Sequence, residues 1–177
     1  MFITNMGNFC GNECRMEWSR INLDKVIQKA KKQRIKKEKE DKKKAKEGIK
    51  SNTQLLNEAQ KEFNAYIREV DKNEPCISCQ RFHDGQYHAG HYLSVGAHPE
   101  LRFDEDNCHK QCSVCNNHLS GNQLNYRKHL IEKIGLERVE KLEGFNEQKN
   151  YSRDEIRSIK EEYKNKLKQL KLEREDE

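Results

Sequence analysis

Apolar residues recur at spacings of three and four in two well-separated stretches of this chain. Over residues 53–70, Leu56, Ala59, Phe63, Ile67 and Val70 fall on one side of a helix, following the 3.6-residue period of an amphipathic α-helix. Near the other end, Ile156, Ile159, Tyr163, Leu167 and Leu170 draw a second stripe, preceded by Ser152-Arg153-Asp154-Glu155. That tetrapeptide fits a capping box, in which the Ser and Glu side chains satisfy each other's backbone N–H groups. The second stripe is expected to pack on the 53–70 helix or on a second copy of the chain. Residues 122–143 carry Tyr126, Leu130, Ile134, Val139 and Leu142 and are predicted to be helical, broken into two pieces by Gly135. Residues 23–50 have almost no apolar stripe but are rich in Lys, Glu, Gln, Ala and Arg, all good helix formers. They predict a solvated helix, frayed near Gly48.

The middle of the chain follows other rules. Pro75 stops the helical pattern, and residues 76–92 predict a metal knuckle and a short hairpin, with Tyr87 and Tyr92 as strand residues. Residues 93–107 predict a loop with a short strand at 101–103. Residues 113–119 predict a short helix ended by Gly121. The resulting partition is an irregular segment at 1–22, a Lys-rich helical arm at 23–52, a core with flanking helices at 53–145 and an amphipathic helix at 146–177. The fold class is α+β.

Composition supports a small core with long appendages. Of 177 residues, 37% are charged and only 33% hydrophobic, too little apolar material for one large core. No apolar run is long enough to span a bilayer and no apolar leader opens the chain, so the expected location is the cytoplasm. The net charge of +5 conceals an asymmetry, because residues 25–50 hold 13 Lys/Arg against 4 Asp/Glu. Such an arm, with Lys36, Lys37, Lys42, Lys43 and Lys44 at its centre, reads either as a solvated helix or as a contact for DNA phosphates.

The candidate chemistry lies within residues 76–122. Cys76-x-x-Cys79 and Cys112-x-x-Cys115 bracket 32 residues, and two such pairs read as a tetrahedral structural zinc site. Redox or vestigial pairs are the plainer alternative. Cys108 reads as a buried or free thiol, and Cys10 and Cys14 leave a further metal site open. Between the pairs stands His91, a candidate general base for attack of water on phosphorus, because imidazole titrates near neutral pH. His88, three residues earlier, would point to the opposite face of a regular strand, but Gly90 permits a bulge that would bring the two together. Asn107 either holds the loop that orients His91 or forms an ordinary Asx turn. Asn116 and His118 follow the last cysteine and can join His88 at a divalent ion. The sequence leaves that ion open, since a His-rich site takes Mn, Ni or Zn whereas Mg prefers oxygen ligands.

These residues carry a resemblance. Pro75-Cys76-Ile77-Ser78-Cys79, Ala89-Gly90-His91-Tyr92, Leu101-Arg102-Phe103, Asn107, Gln111-Cys112-x-x-Cys115-Asn116 and Ser120-Gly121-Asn122 resemble the NinG (Rap) family of phage recombination proteins. The likeness extends from about residue 63 to 171. It implies a zinc-stabilised, HNH-like ββα-metal core flanked by long charged helices. It further implies a Mg- or Mn-dependent endonuclease acting on branched DNA such as Holliday junctions and D-loops, with His91 as general base, Asn107 as the middle member of the H-N-H set and the region after Cys115 as the third. Arg102 joins the arm lysines as a DNA contact. Symmetric cutting of a four-way junction further suggests a homodimer. HNH motifs often carry Asp or His directly before the base, as a metal ligand. Here that position is Gly90, so a ligand must come from elsewhere, and His88 is the choice. Two other readings compete. One is a zinc-stabilised DNA-binding accessory without catalysis, and the other is a scaffold whose charged helices bind recombination proteins.

Overall fold

The computed structural model describes residues 11–175, leaving aside the side chains of Lys43, Lys44, Lys46 and Glu47. The chain divides into two compact units, Met1–Lys50 and Ser51–Glu177. The first unit is, in its described part, one helix, α1 (Asn12–Ile49). Its 38 residues span about 57 Å at the α-helical rise. It begins earlier than the expected arm, so the segment assigned as irregular is helical from Asn12 onward. Cys14 sits in its first turn, and Cys10 lies outside the described residues.

The second unit holds the core. Helix α2 (Asn52–Val70) opens on a capping box in which Ser51 and Gln54 bond reciprocally, a feature worth about 1 kcal/mol. Its buried face is Leu55, Ala59, Phe63 and Ile67, whereas Val70 is exposed. Leu55 thus takes the core position that the apolar spacing had assigned to Leu56, which packs only at the edge. The C-terminal helix α5 (Arg153–Glu175) carries the expected Ser152/Glu155 box. It lies alongside α2 in parallel: Arg153 meets Asn52, Lys160 meets Glu58 and Arg174 meets Glu69. Ile156 and Tyr163 are its buried anchors. Its stripe therefore packs on α2.

A two-stranded antiparallel sheet stands beside this pair. Strand β1 (Tyr87–His91) pairs with β2 (Cys108–Cys112) in unbroken register from Tyr87↔Cys112 to His91↔Cys108. The hairpin therefore joins residues on either side of the 92–107 loop instead of closing within 76–92. In place of the expected strand at 101–103, a 3₁₀ turn at Pro99–Leu101 runs into a tight turn at 102–103. All five β2 residues are buried. One face of the sheet, with Ala89 and Cys108, packs against Phe63, Ile67 and Tyr163. Beyond β2 comes a π-helical turn, Val114–His118, then α3 (Gln123–Ile134) and α4 (Leu136–Glu143). Gly135, at φ +88°, separates the last two as predicted. Tyr126 and Leu130 of α3 and Val139 and Leu142 of α4 form a second core with Ile77, Tyr92 and Leu101. Among the described residues no helix is long and apolar enough to cross a membrane.

Candidate functional site

The two Cys-x-x-Cys pairs meet at one end of the hairpin. The Sγ atoms of Cys76, Cys79, Cys112 and Cys115 all lie within 4.8 Å of one another. A tetrahedron of zinc–sulfur bonds of about 2.3 Å has edges of about 3.8 Å, so this cluster can hold a metal such as zinc. Local backbone geometry creates it. The first knuckle turns back through Gln80 at φ +54°, with the Gln80 N–H donating to the Cys76 carbonyl. The second turns through the π-helical segment. The Cys112 N–H donates to Cys76 Sγ and the Cys115 N–H to Cys112 Sγ. Burial raises the pKa of Cys76, but N–H donors from Cys112, Cys79 and Ser78 outweigh it and leave the thiol below its ordinary value. Such donors favour the thiolate form that metals bind. His83 Nε2 lies 3.2 Å from Cys79 Sγ, a contact that no motif or spacing in the sequence marks.

Asn107 is fully buried. Its Oδ1 accepts from the Leu93 N–H at 2.8 Å, and its Nδ2 donates to the carbonyls of Leu93 and Leu101 at 3.0 and 3.2 Å. The side chain thus ties both ends of the 92–107 loop together, which makes it a positioning residue. Asn107→Ala would leave these backbone groups unpartnered and is expected to cost about 3 kcal/mol, measured by urea unfolding. A cost within a few tenths of wild type would remove this role.

The same loop holds His91. Its Nε2 donates to the Arg102 carbonyl at 3.0 Å, which leaves the lone pair on Nδ1, 3.7 Å from Cys108 Sγ. Burial lowers the His91 pKa, opposed by the Arg102 carbonyl and aided by the Arg102 charge. Burial thus favours the neutral ring. The Arg102 side chain is half-buried and donates to Gln60 Oε1.

The unbroken register decides which histidines can meet. There is no bulge at Gly90, so His88 and His91 point to opposite faces of the sheet. His88 shares its face with Gly90, His109 and Gln111. On that face three buried atoms have no hydrogen-bond partner: His88 Nε2, His109 Nε2 and Gln111 Oε1. Asn116, on the π-helical turn, reaches the same place. A β-carbon at position 90 would sit 3.0 Å from Asn116 Oδ1 and would overlap Gln111 Oε1. His118 closes the turn on its exposed side. Of the three residues expected to share a cation, Asn116 and His88 thus lie on one face and His118 points to solvent. His109 Nδ1 lies 3.4 Å from the Asp71 carboxylate. Hydrogen bonds from His109, Lys133 and Lys110 overcome burial there and hold Asp71 well below the usual carboxylate range.

The arm lysines Lys36, Lys37 and Lys42 are exposed along α1, and the side chains of Lys43 and Lys44 lie outside the described ones.

Comparison with known proteins agrees with the motif pattern. The family described as Bacteriophage Lambda NinG protein matches residues 1–174. The chain is 46% identical to Protein ninG of Salmonella phage P22 over 123 residues, 70% of this chain and 61% of that protein. It is 45% identical to Protein ninG of Escherichia phage lambda over 123 residues, 70% of this chain and 60% of that one. The matched region thus spans about three fifths of these relatives' length. No solved structure matches the chain. With the motifs in order, the four-cysteine cluster formed and the family match running nearly end to end, the chain belongs to the NinG family.

Proposed function

We propose that this protein is a metal-dependent, structure-specific endonuclease that cuts branched recombination intermediates such as Holliday junctions and D-loops through an HNH-like centre. The observation that carries the reading is the hairpin itself. A histidine ends β1, a buried Asn107 braces the loop that follows, and Asn116 reaches back over Gly90 from the turn after β2. Neutral His91 takes a proton from the attacking water once its ring moves off the Cys108 thiol. Arg102 and the arm lysines, Lys36, Lys37, Lys42, Lys43 and Lys44, contact phosphates. The four thiols hold structural zinc, and the reaction uses a divalent ion, Mg or Mn. Such an ion would compensate charge on the leaving 3′ oxygen. The protein acts in the cytoplasm of the infected host, as a homodimer and alongside recombination proteins. The deciding experiment incubates it with labelled junction, duplex and single-stranded DNA, with and without Mg or Mn. Junction cleavage that requires the ion supports the reading, and no cleavage under any ion rejects it.

One observation favours a second reading, a zinc-stabilised DNA-binding accessory without catalysis. Both ring nitrogens of His91 are engaged, one by a carbonyl and one by a thiol. Junction binding without cleavage would support it.

The arm is expected to add affinity for any DNA regardless of sequence, because Lys–phosphate contacts release counterions without reading bases. Deleting residues 25–50 should weaken binding and flatten its dependence on salt. An unchanged salt slope would reduce the arm to a solvated helix.

A further inference from the structure

Phe82 stands on the loop of the first cysteine knuckle with 71% of its surface exposed. An apolar ring exposed singly is ordinary. What sets this one apart is how firmly it is held. The Arg81 carbonyl, just before it, accepts from the Cys76 N–H at 3.0 Å. His83, just after it, donates its N–H to the Tyr87 hydroxyl at 2.6 Å and brings Nε2 to 3.2 Å from Cys79 Sγ. Both neighbours are thus tied to the four-thiol cluster or to β1, and the ring is displayed on a fixed backbone.

A buried cation lies beside it. Lys110 of β2 is only 5% exposed, and its Nζ donates to the Lys72 carbonyl at 2.8 Å. That ammonium stands 4.6 Å from the centre of the Tyr87 ring and 6.0 Å from that of Phe82, within the range of cation–π attraction. Exposed Arg81 adds a second positive charge next in the chain, and Asp84 is the only carboxylate in residues 80–86. No other residue of 80–86 has an apolar side chain, so the loop does not offer the broad apolar patch of a protein interface. An isolated aromatic face beside positive charge is instead what binds unpaired nucleotides, the ring taking the base and the charge its phosphate.

We propose that Phe82 is a stacking platform for an unpaired nucleobase at the branch point of DNA. The proposal rests on the branched-DNA reading above and names the feature that tells a branch from plain duplex. In continuous duplex both faces of a base are covered by its neighbours, so stacking on Phe82 would require pulling a base out. Where helices part, bases are already uncovered, and the ring takes the place of the missing neighbour. The positive charge of Arg81 and Lys110 favours the adjoining phosphate. Selection of branched DNA then comes from the knuckle and not from the arm, whose phosphate contacts are the same on every DNA.

The test uses full-length, zinc-loaded protein without added Mg or Mn, so that nothing is cut. The probes are a four-way junction carrying 5-iodouracil at the crossover and a duplex carrying it in the same sequence. Irradiation should cross-link the junction's iodouracil to Phe82, located by mass spectrometry, and leave that of the duplex unlinked. Junction affinity should fall about five- to a hundredfold in Phe82→Ala, the range for losing one base–aromatic stack, while duplex affinity stays near wild type. Phe82→Trp should restore junction binding, because its larger ring also stacks. Should Phe82→Ala melt early, the wild-type cross-link decides alone. Wild-type junction affinity in Phe82→Ala, or cross-links that avoid Phe82, would overturn the platform and leave the branched-DNA reading standing. An equal loss on junction and duplex would also overturn it, by making Phe82 a general contact. Wild type that binds junction no better than duplex removes both.

Discussion

Cys112→Ala is expected to unfold the hairpin and the α3–α4 layer, not simply weaken the site. Cys112 ends β2, its N–H bonds Cys76 Sγ, and its thiol accepts from the Cys115 N–H. Removing it leaves three ligands and deprives both knuckles of their junction. Zinc in a four-thiolate site stabilises small domains by on the order of 10 kcal/mol, comparable to the whole stability of a typical domain. The variant should carry no zinc by elemental analysis and should lose its cooperative thermal transition. A strong chelator should act on wild type in the same way, and more completely as pH falls, because protons compete for the thiolates. A Cys112→Ala protein that melts like wild type would show that the four thiols do not staple this fold.

The second large effect is predicted for His91→Ala. A water attacking phosphorus must lose a proton, and a positioned base contributes at least about a hundredfold to such a step. Cleavage of junctions should fall by that factor or more. Binding should stay near wild type, because the proposed phosphate contacts lie on the arm and at Arg102. The pH profile gives an independent sign. Burial lowers the His91 pKa below its ordinary 6.5, and only the neutral ring accepts a proton. The rate should therefore hold as pH falls to about neutral and drop only below pH 6.5 in wild type. Protonation also favours the unfolded chain, where the pKa is ordinary, so stability contributed by this buried neutral ring is lost as pH drops below 6.5. Cleavage by His91→Ala at the wild-type rate would move the chemistry elsewhere.

The contrast between the two histidine positions shows how far a motif can be read in one dimension. The spacing of His88 and His91 allowed either a shared site or opposite faces, depending on whether Gly90 forms a bulge. The glycine serves a different need. The Gly90 carbonyl accepts from Tyr126 OH, and the space where its side chain would be is taken by Gln111 and Asn116.

What the chain determined by itself were features set within a few residues: the two Cys-x-x-Cys turns, the Ser152/Glu155 box, the break at Gly135 and the apolar stripe of α5. Each depends on local dihedrals or on neighbours one turn away, so spacing alone reveals it. Tertiary structure decided the rest. Cys-His-Lys-Gln-Cys has no alternation to mark it as β2, because all five residues are buried between the two helical layers. Only pairing with β1 makes it a strand, and register then assigns every side chain to a face. Leu55 displaces Leu56 from the core because α5 sets the rotation of α2. Gln111 drew notice only as a residue beside a cysteine. Its partners, Ser78 across 33 residues and Gly121 across 10, come from two different turns. Its free oxygen exists only once both have arrived.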